Sequence, residues 1–126
     1  MILTQDNNCL LNSKYFDSLL DKSYNCAENL NENLLKKYLN QIIPYKNDFN
    51  SDQLLRLIEI KNIYYSQKID CELYEAEEHI KSGDKKSLEL CLLLFPQNYF
   101  SKIDTSIPNK KEELKQRYER LKKFLQ

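Results

Sequence analysis

The segment Ile69–Ile80, "IDCELYEAEEHI", gathers Asp70, Glu72, Glu75, Glu77 and Glu78 with the chain's only histidine, His79, and one of its four cysteines, Cys71. Carboxylate, imidazole and thiolate are the side chains that ligate metals and move protons. Cys71, Glu75 and His79 fall at i, i+4 and i+8, one row along a helix. Residues eight apart are separated by about 12 Å along the axis, so one tetrahedral ion cannot take all three. Further ligands would have to come from elsewhere, and no second histidine exists. The expectation is therefore no metal and no cofactor. Paired carboxylates at i, i+3, such as Glu72 with Glu75 or Glu75 with Glu78, are surface neighbours. They act as acid and base only where a pocket moves their proton affinities apart. With no Ser-His-Asp order and no glycine-rich phosphate loop, the reading is that the chain is not an enzyme.

A third use of such a stretch is docking. Between Asp70 and Glu78 there are five negative charges and no positive one, with Tyr74 among them and Lys68 and Lys81 at the flanks. A carboxylate ridge carrying an aromatic residue suits a basic partner, because opposed fields speed encounter and aromatic side chains anchor the complex. Asp70, Glu72, Tyr74, Glu75, Glu77 and Glu78 are the candidate partner-binding residues. The competing reading is an acidic helix face that does no more than keep the protein solvated.

The elements that must present this ridge are helical. The 126 residues contain one glycine and three prolines, too few for the turns of a sheet-rich fold. Ile69, Leu73, Ala76 and Ile80, spaced four, three and four, form one apolar stripe and leave the carboxylates on the remaining arc. Gly83 stops that helix and Asp84 caps the next, "KKSLELCLLLF", which reads as buried on nearly all sides, Cys91 and Leu92 included, until Pro96. This helix, Gly-Asp turn and helix is similar to one unit of the α-helical repeat proteins, with no second copy at a fixed period. Upstream, Tyr15, Phe16, Leu19 and Leu20 mark a short helix from Asn12 or Ser13 to about Ser23, followed by a connection. A second stripe from Leu30 to Ile43 ends at Pro44, and "PYKNDFN" reads as a loop. Ser51 or Asp52 caps a third helix running to Lys68, for which "LIEIKNIYY" offers a strand as the alternative. A 13-residue connection after Pro96 leads to a last helix on the stripe Leu114, Tyr118, Leu121 and Leu125. The whole is expected to be one compact all-α domain, residues 1–126, with five or six helices, a central hairpin, and residues 1–12 as a loose arm.

Charge and composition narrow the function. Nineteen basic and nineteen acidic residues cancel, whereas nucleic-acid binders usually show a basic excess. Ser101–Gln126 does hold eight basic residues against four acidic ones, a solvated amphipathic helix or a nucleic-acid surface. No apolar run approaches the roughly 18 residues of a membrane span. The start lacks a basic region followed by an apolar core, so no secretory signal is expected and the chain reads as cytoplasmic. Cys9, Cys26, Cys71 and Cys91 show no CxxC spacing and are read as free thiols.

Short, helical, without catalytic motifs, of a composition that suggests A/T-rich coding, and bearing an acidic ridge, the chain resembles bacterial toxin-immunity proteins of the contact-dependent growth inhibition type. The resemblance lies in overall profile and rests on no shared motif, so it assigns no residue. It implies a cytoplasmic, monomeric inhibitor that occludes the active site of a basic, nuclease-type toxin. Two alternatives come from other classes. One is a small dimeric chaperone or adaptor for a secreted protein, with "LCLLLF" at its interface. The other is a nucleic-acid-binding regulator acting through the basic last helix.

Overall fold

A computed structural model describes the backbone of residues 2–126 and the side chains from residue 13 onward. The chain is all-α: α1 Ile2–Glu28, α2 Glu32–Ile42, a 3-10 turn Ile43–Asp48, α3 Ser51–Ser82, α4 Lys85–Leu93, α5 Asn98–Lys102 and α6 Lys111–Phe124, with no strand among the described residues. Length alone suggested one domain. By contact the chain divides into two compact units, Met1–Ile63 and Tyr64–Gln126, with the division falling inside α3.

Several boundaries differ from the sequence reading. A polar stretch without Gly or Pro does not by itself end a helix. Thus the first dozen residues, read as an arm, are helical from Ile2, and α1 runs on to Glu28 instead of stopping near Ser23. Cys26 and Ala27, placed in a connection, are buried at the continuing helical period after Leu19, Leu20 and Ser23. The two helices expected on either side of Lys68 are a single helix of 32 residues, and residues 57–65 are helical within it, not a strand. The "PYKNDFN" loop is largely 3-10, and the connection after Pro96 contains α5.

In the first unit Phe16 packs on Phe49 with ring centroids 4.9 Å apart. Leu19, Leu20, Leu35, Ile42, Leu57 and Ile60 are buried in the same unit. The cap of α3 is Asn50, not Ser51 or Asp52. The Gln53 N–H donates to Asn50 Oδ1 at 2.8 Å, and the Asn50 N–H donates to Gln53 Oε1 at 3.0 Å. This reciprocal pair is a capping box that satisfies two otherwise orphan donors. The amide Nε2 of Gln53, itself buried, donates to the Ser13 carbonyl at 3.2 Å and to Asp17 Oδ1 at 3.1 Å.

Both tight helix-to-helix turns use one hydrogen-bond pattern. After α1, Leu30 donates to the Ala27 carbonyl and Asn31 to that of Cys26, with Leu30 at φ 55°. After α3, Gly83 donates to the Ile80 carbonyl and Asp84 to that of His79, with Gly83 at φ 74°. Each is a Schellman motif, which needs one left-handed residue just past the helix. As expected from the sequence, Asp84 then caps α4, its side chain accepting from the Ser87 N–H at 3.1 Å.

The second unit is built on Ile69, Leu73 and Ala76 of α3, all at or near zero exposure. Against them pack Leu88 of α4, Phe95, Phe100, Ile103, and Leu114, Tyr118 and Leu121 of α6. The Phe95 and Tyr118 rings stack at 4.4 Å, and the Gln97 amide donates to Tyr118 Oη at 2.6 Å. The expected stripe of the last helix is therefore buried at Leu114, Tyr118 and Leu121 and half-buried at Leu125, but α4 is not enclosed. Only Leu88 is fully buried, Cys91 and Leu92 are half-buried, and Leu90, Leu93 and Leu94 are exposed. A nine-residue helix with one face on the core leaves the opposite face in water unless a further element covers it. Among the described residues none does.

Two measurements follow from this packing. Leu73→Ala is expected to lower unfolding free energy in urea by about 2–5 kcal/mol, whereas Leu93→Ala stays within about 0.5 kcal/mol of the parent. Equal effects would overturn the assignment of the α4 faces. The Asp84 carboxyl is held below its ordinary range by hydrogen bonds from the Ser87 hydroxyl and N–H. A depressed carboxyl stabilises the fold above its unfolded-state pKa and loses that contribution as pH falls through the folded value. Asp84→Ala should therefore lower the melting temperature at neutral pH, and the gap to the parent should narrow on acidification below the usual carboxylate range.

Candidate functional site

The ridge residues share a helix but not an environment. Arg117 of α6 places its guanidinium between Asp70 and Glu77: Nη1 binds Asp70, and Nη2 donates to Glu77 Oε1 at 2.6 Å. Asp70 and Glu77 lie seven residues apart, two turns on the same side of α3, so a single planar fork can serve both. The Arg117 side chain is 19% exposed. Hydrogen bonding to Glu77 first, then to Asp70, raises its pKa further above the ordinary arginine value. Glu78 pairs with Lys81 at 3.2 Å, an exposed i, i+3 pair of small energetic weight.

That leaves Glu72, Tyr74 and Glu75. Neither carboxylate has an ion-pair partner among the described residues. Tyr74 is 62% exposed. The structure thus splits the six candidate residues. Asp70 and Glu77 bind Arg117 of α6, whereas the sequence reading set all five carboxylates on the arc beside the apolar stripe and offered every one of them to a partner. Arg117, read as one of many solvated basic residues, is the group that engages them. Its position was legible: it stands three after Leu114 and four before Leu121, on the edge of the buried stripe.

Beside the free part of the ridge, α4 contributes a thiol. Cys91 Sγ, a ligand atom of His79 and a carboxylate oxygen of Glu75 all lie within 4.8 Å of one another. Burial first, then the Glu75, Glu72 and Asp84 carboxylates, push the Cys91 thiol up. Cys91 was expected in the core; instead it is half-buried in the crease where α4 meets α3. The signal lay in counting from the turn, since Glu75 and Cys91 each stand eight residues from Gly83. Cys71, four residues before Glu75, is exposed and outside this group, and Cys26, Cys71 and Cys91 are free thiols, while Cys9 lies outside the described side chains.

Leu90 of α4 and Leu94, the residue just past its end, stand at i−1 and i+3 from Cys91. By helical phase they border the same crease that Glu75 and His79 line. Leu90 is 55%, Leu93 79% and Leu94 71% exposed. α3 and α4 thus leave in water two carboxylates without an ion-pair partner among the described residues, an exposed tyrosine and three leucines. The outer face of α6 carries Lys115, Arg120 and Lys123 interleaved with Glu112 and Glu119, a face of mixed sign.

Replacing Arg117 with methionine, which keeps the apolar stem, is expected to lower stability by about 1–2 kcal/mol, between the ranges for exposed and buried ion pairs. Molar salt should shrink the difference, because the half-exposed carboxylates are partly screened already. A denaturant midpoint unchanged by the substitution at low salt would show that the link does not hold α6.

No protein-family model, curated protein or solved structure matches this chain.

Proposed function

We propose that this chain is a non-catalytic binding protein that covers a basic surface on another protein, and that its working role is that of an immunity protein neutralising a nuclease-type toxin. The observation that carries the reading is the composite surface of α3 and α4. Tyr74 of α3 and Leu90, Leu93 and Leu94 at α4 stand largely in water, and Glu72 and Glu75 of α3 have no ion-pair partner among the described residues. Interfaces of this kind take their energy from a few apolar and aromatic anchors, while the surrounding charges steer encounter and fix register. A nuclease active site, shaped to bind phosphates, offers the positive field that Glu72 and Glu75 complement. Asp70 and Glu77 belong to the fold, so in this reading the binding residues narrow to Glu72, Tyr74, Glu75 and Glu78 with the α4 leucines.

A second reading is favoured by the same leucines. Leu90, Leu93 and Leu94 on one short helix could be covered by a second copy of the chain, as in a dimeric adaptor. The nucleic-acid alternative has less support, since Arg117 is occupied by carboxylates and glutamates interrupt the rest of the α6 charge.

Light scattering of the purified chain distinguishes the two readings, with a monomer expected for the inhibitor and a dimer for the adaptor. Capture from the native host should return one basic protein in equimolar amount whose nuclease activity is suppressed in the complex. Glu72→Lys with Glu75→Lys should weaken that complex by about 100-fold or more, since like charges then face each other, while the helical signal stays unchanged. A dimer that Leu93→Asp and Leu94→Asp dissociate, with no such partner captured, would replace the inhibitor by the adaptor.

A further inference from the structure

We infer that Glu75, His79 and Cys91 form a binding site for a single zinc-like divalent transition-metal ion, at the crease where α4 returns along α3. Three chemically different ligand atoms from two helices already lie within 4.8 Å of one another. Around a four-coordinate zinc, ligand atoms stand about 3.3–3.7 Å apart, as follows from metal–ligand bonds of about 2.0–2.3 Å. Glu75 and His79 are one helical turn apart on α3, and their ligand atoms already converge with that of Cys91. Glu75 and His79 at i, i+4 present their ends to one point, the helical spacing that metal-binding His pairs use. Thiolate and imidazole together select zinc, cobalt or cadmium over magnesium or calcium.

The fold fixes this geometry independently of any ion. His79 occupies the last turn of α3, where its carbonyl accepts from the Asp84 N–H at 2.9 Å in the Gly83 turn. That turn, capped by Asp84, sets where α4 begins and so where Cys91 stands. Binding would form bonds from the metal to Cys91 sulfur, a His79 ring nitrogen and a Glu75 oxygen, and release the thiol proton to solvent. The fourth position is left for water, so the ion is held by three protein ligands. The inference does not depend on the partner-binding reading, although Glu75 serves both, and its test uses the chain alone.

Cobalt is the probe, because a thiolate ligand gives it a sulfur-to-metal charge-transfer band and four-coordination gives intense visible bands. The tag-free, reduced full-length chain is titrated with Co²⁺ and then with Zn²⁺. One equivalent of cobalt should produce both sets of bands, zinc should displace it, and the helical signal should not change. Cys91→Ser should abolish the charge-transfer band, and His79→Gln or Glu75→Gln should weaken cobalt binding by about 10-fold or more. Cys71→Ser, with its thiol one turn from Glu75 on the other side, should bind as the parent does. Absence of the bands at equimolar cobalt, their survival in Cys91→Ser, or their loss in Cys71→Ser would each overturn the assignment.

Discussion

Burial of one narrow stripe on α3 is the constraint on which the second unit depends. Ile69, Leu73 and Ala76 are spaced so that a straight helix brings them onto a single line, and each is almost wholly removed from water. Leu88 reaches that line from α4, and Leu114, Tyr118 and Leu121 reach it from α6. Because the stripe is only one residue wide, the rest of the circumference of α3 must meet either the margins of those helices or solvent. The fate of every carboxylate between Asp70 and Glu78 is decided by which margin it falls on.

On one margin Asp70 and Glu77 meet Arg117, and a cluster of like charges becomes an attachment. The guanidinium lowers the repulsion between the two carboxylates while linking α6 to α3 by both prongs. On the other margin Glu75 and His79 meet Cys91, and Glu75 has no ion-pair partner among the described residues. Between the two margins Tyr74 faces water. The same short sequence thus supplies structure on one side and reactivity on the other, and only the helical angle of each residue tells them apart.

Much of this was legible. The all-α class followed from the scarcity of glycine and proline, and the stripes of α3 and α6 followed from spacings of three and four. The Gly83 stop and Asp84 cap were read correctly because they depend on local chemistry. Other features were not legible because they depend on what lies across the fold. Asn50, Ser51 and Asp52 all have the chemistry of a cap, and only the reciprocal bond with Gln53 decides between them. The leucine run of α4 reads as enclosed from composition, yet apolar composition does not determine burial, and Leu90, Leu93 and Leu94 are exposed. Nothing in the run itself says that a nine-residue helix will find only one surface to cover. Cys91 was hidden by the same run.

The two Schellman turns carry a separate lesson. One is made with Gly83 and the other with Leu30, yet their hydrogen bonds are the same. A methyl carbon added at Gly83 would meet no atom within 4 Å, so nothing in the surroundings demands glycine there. Only the left-handed backbone does, at roughly 1 kcal/mol for a side-chain-bearing residue. Leu30 shows that this protein tolerates such a strain where neighbouring contacts hold the turn. The chain's lone glycine is therefore a matter of energetic convenience, and the path of the polypeptide through both reversals is dictated by which carbonyls the next two amides can reach.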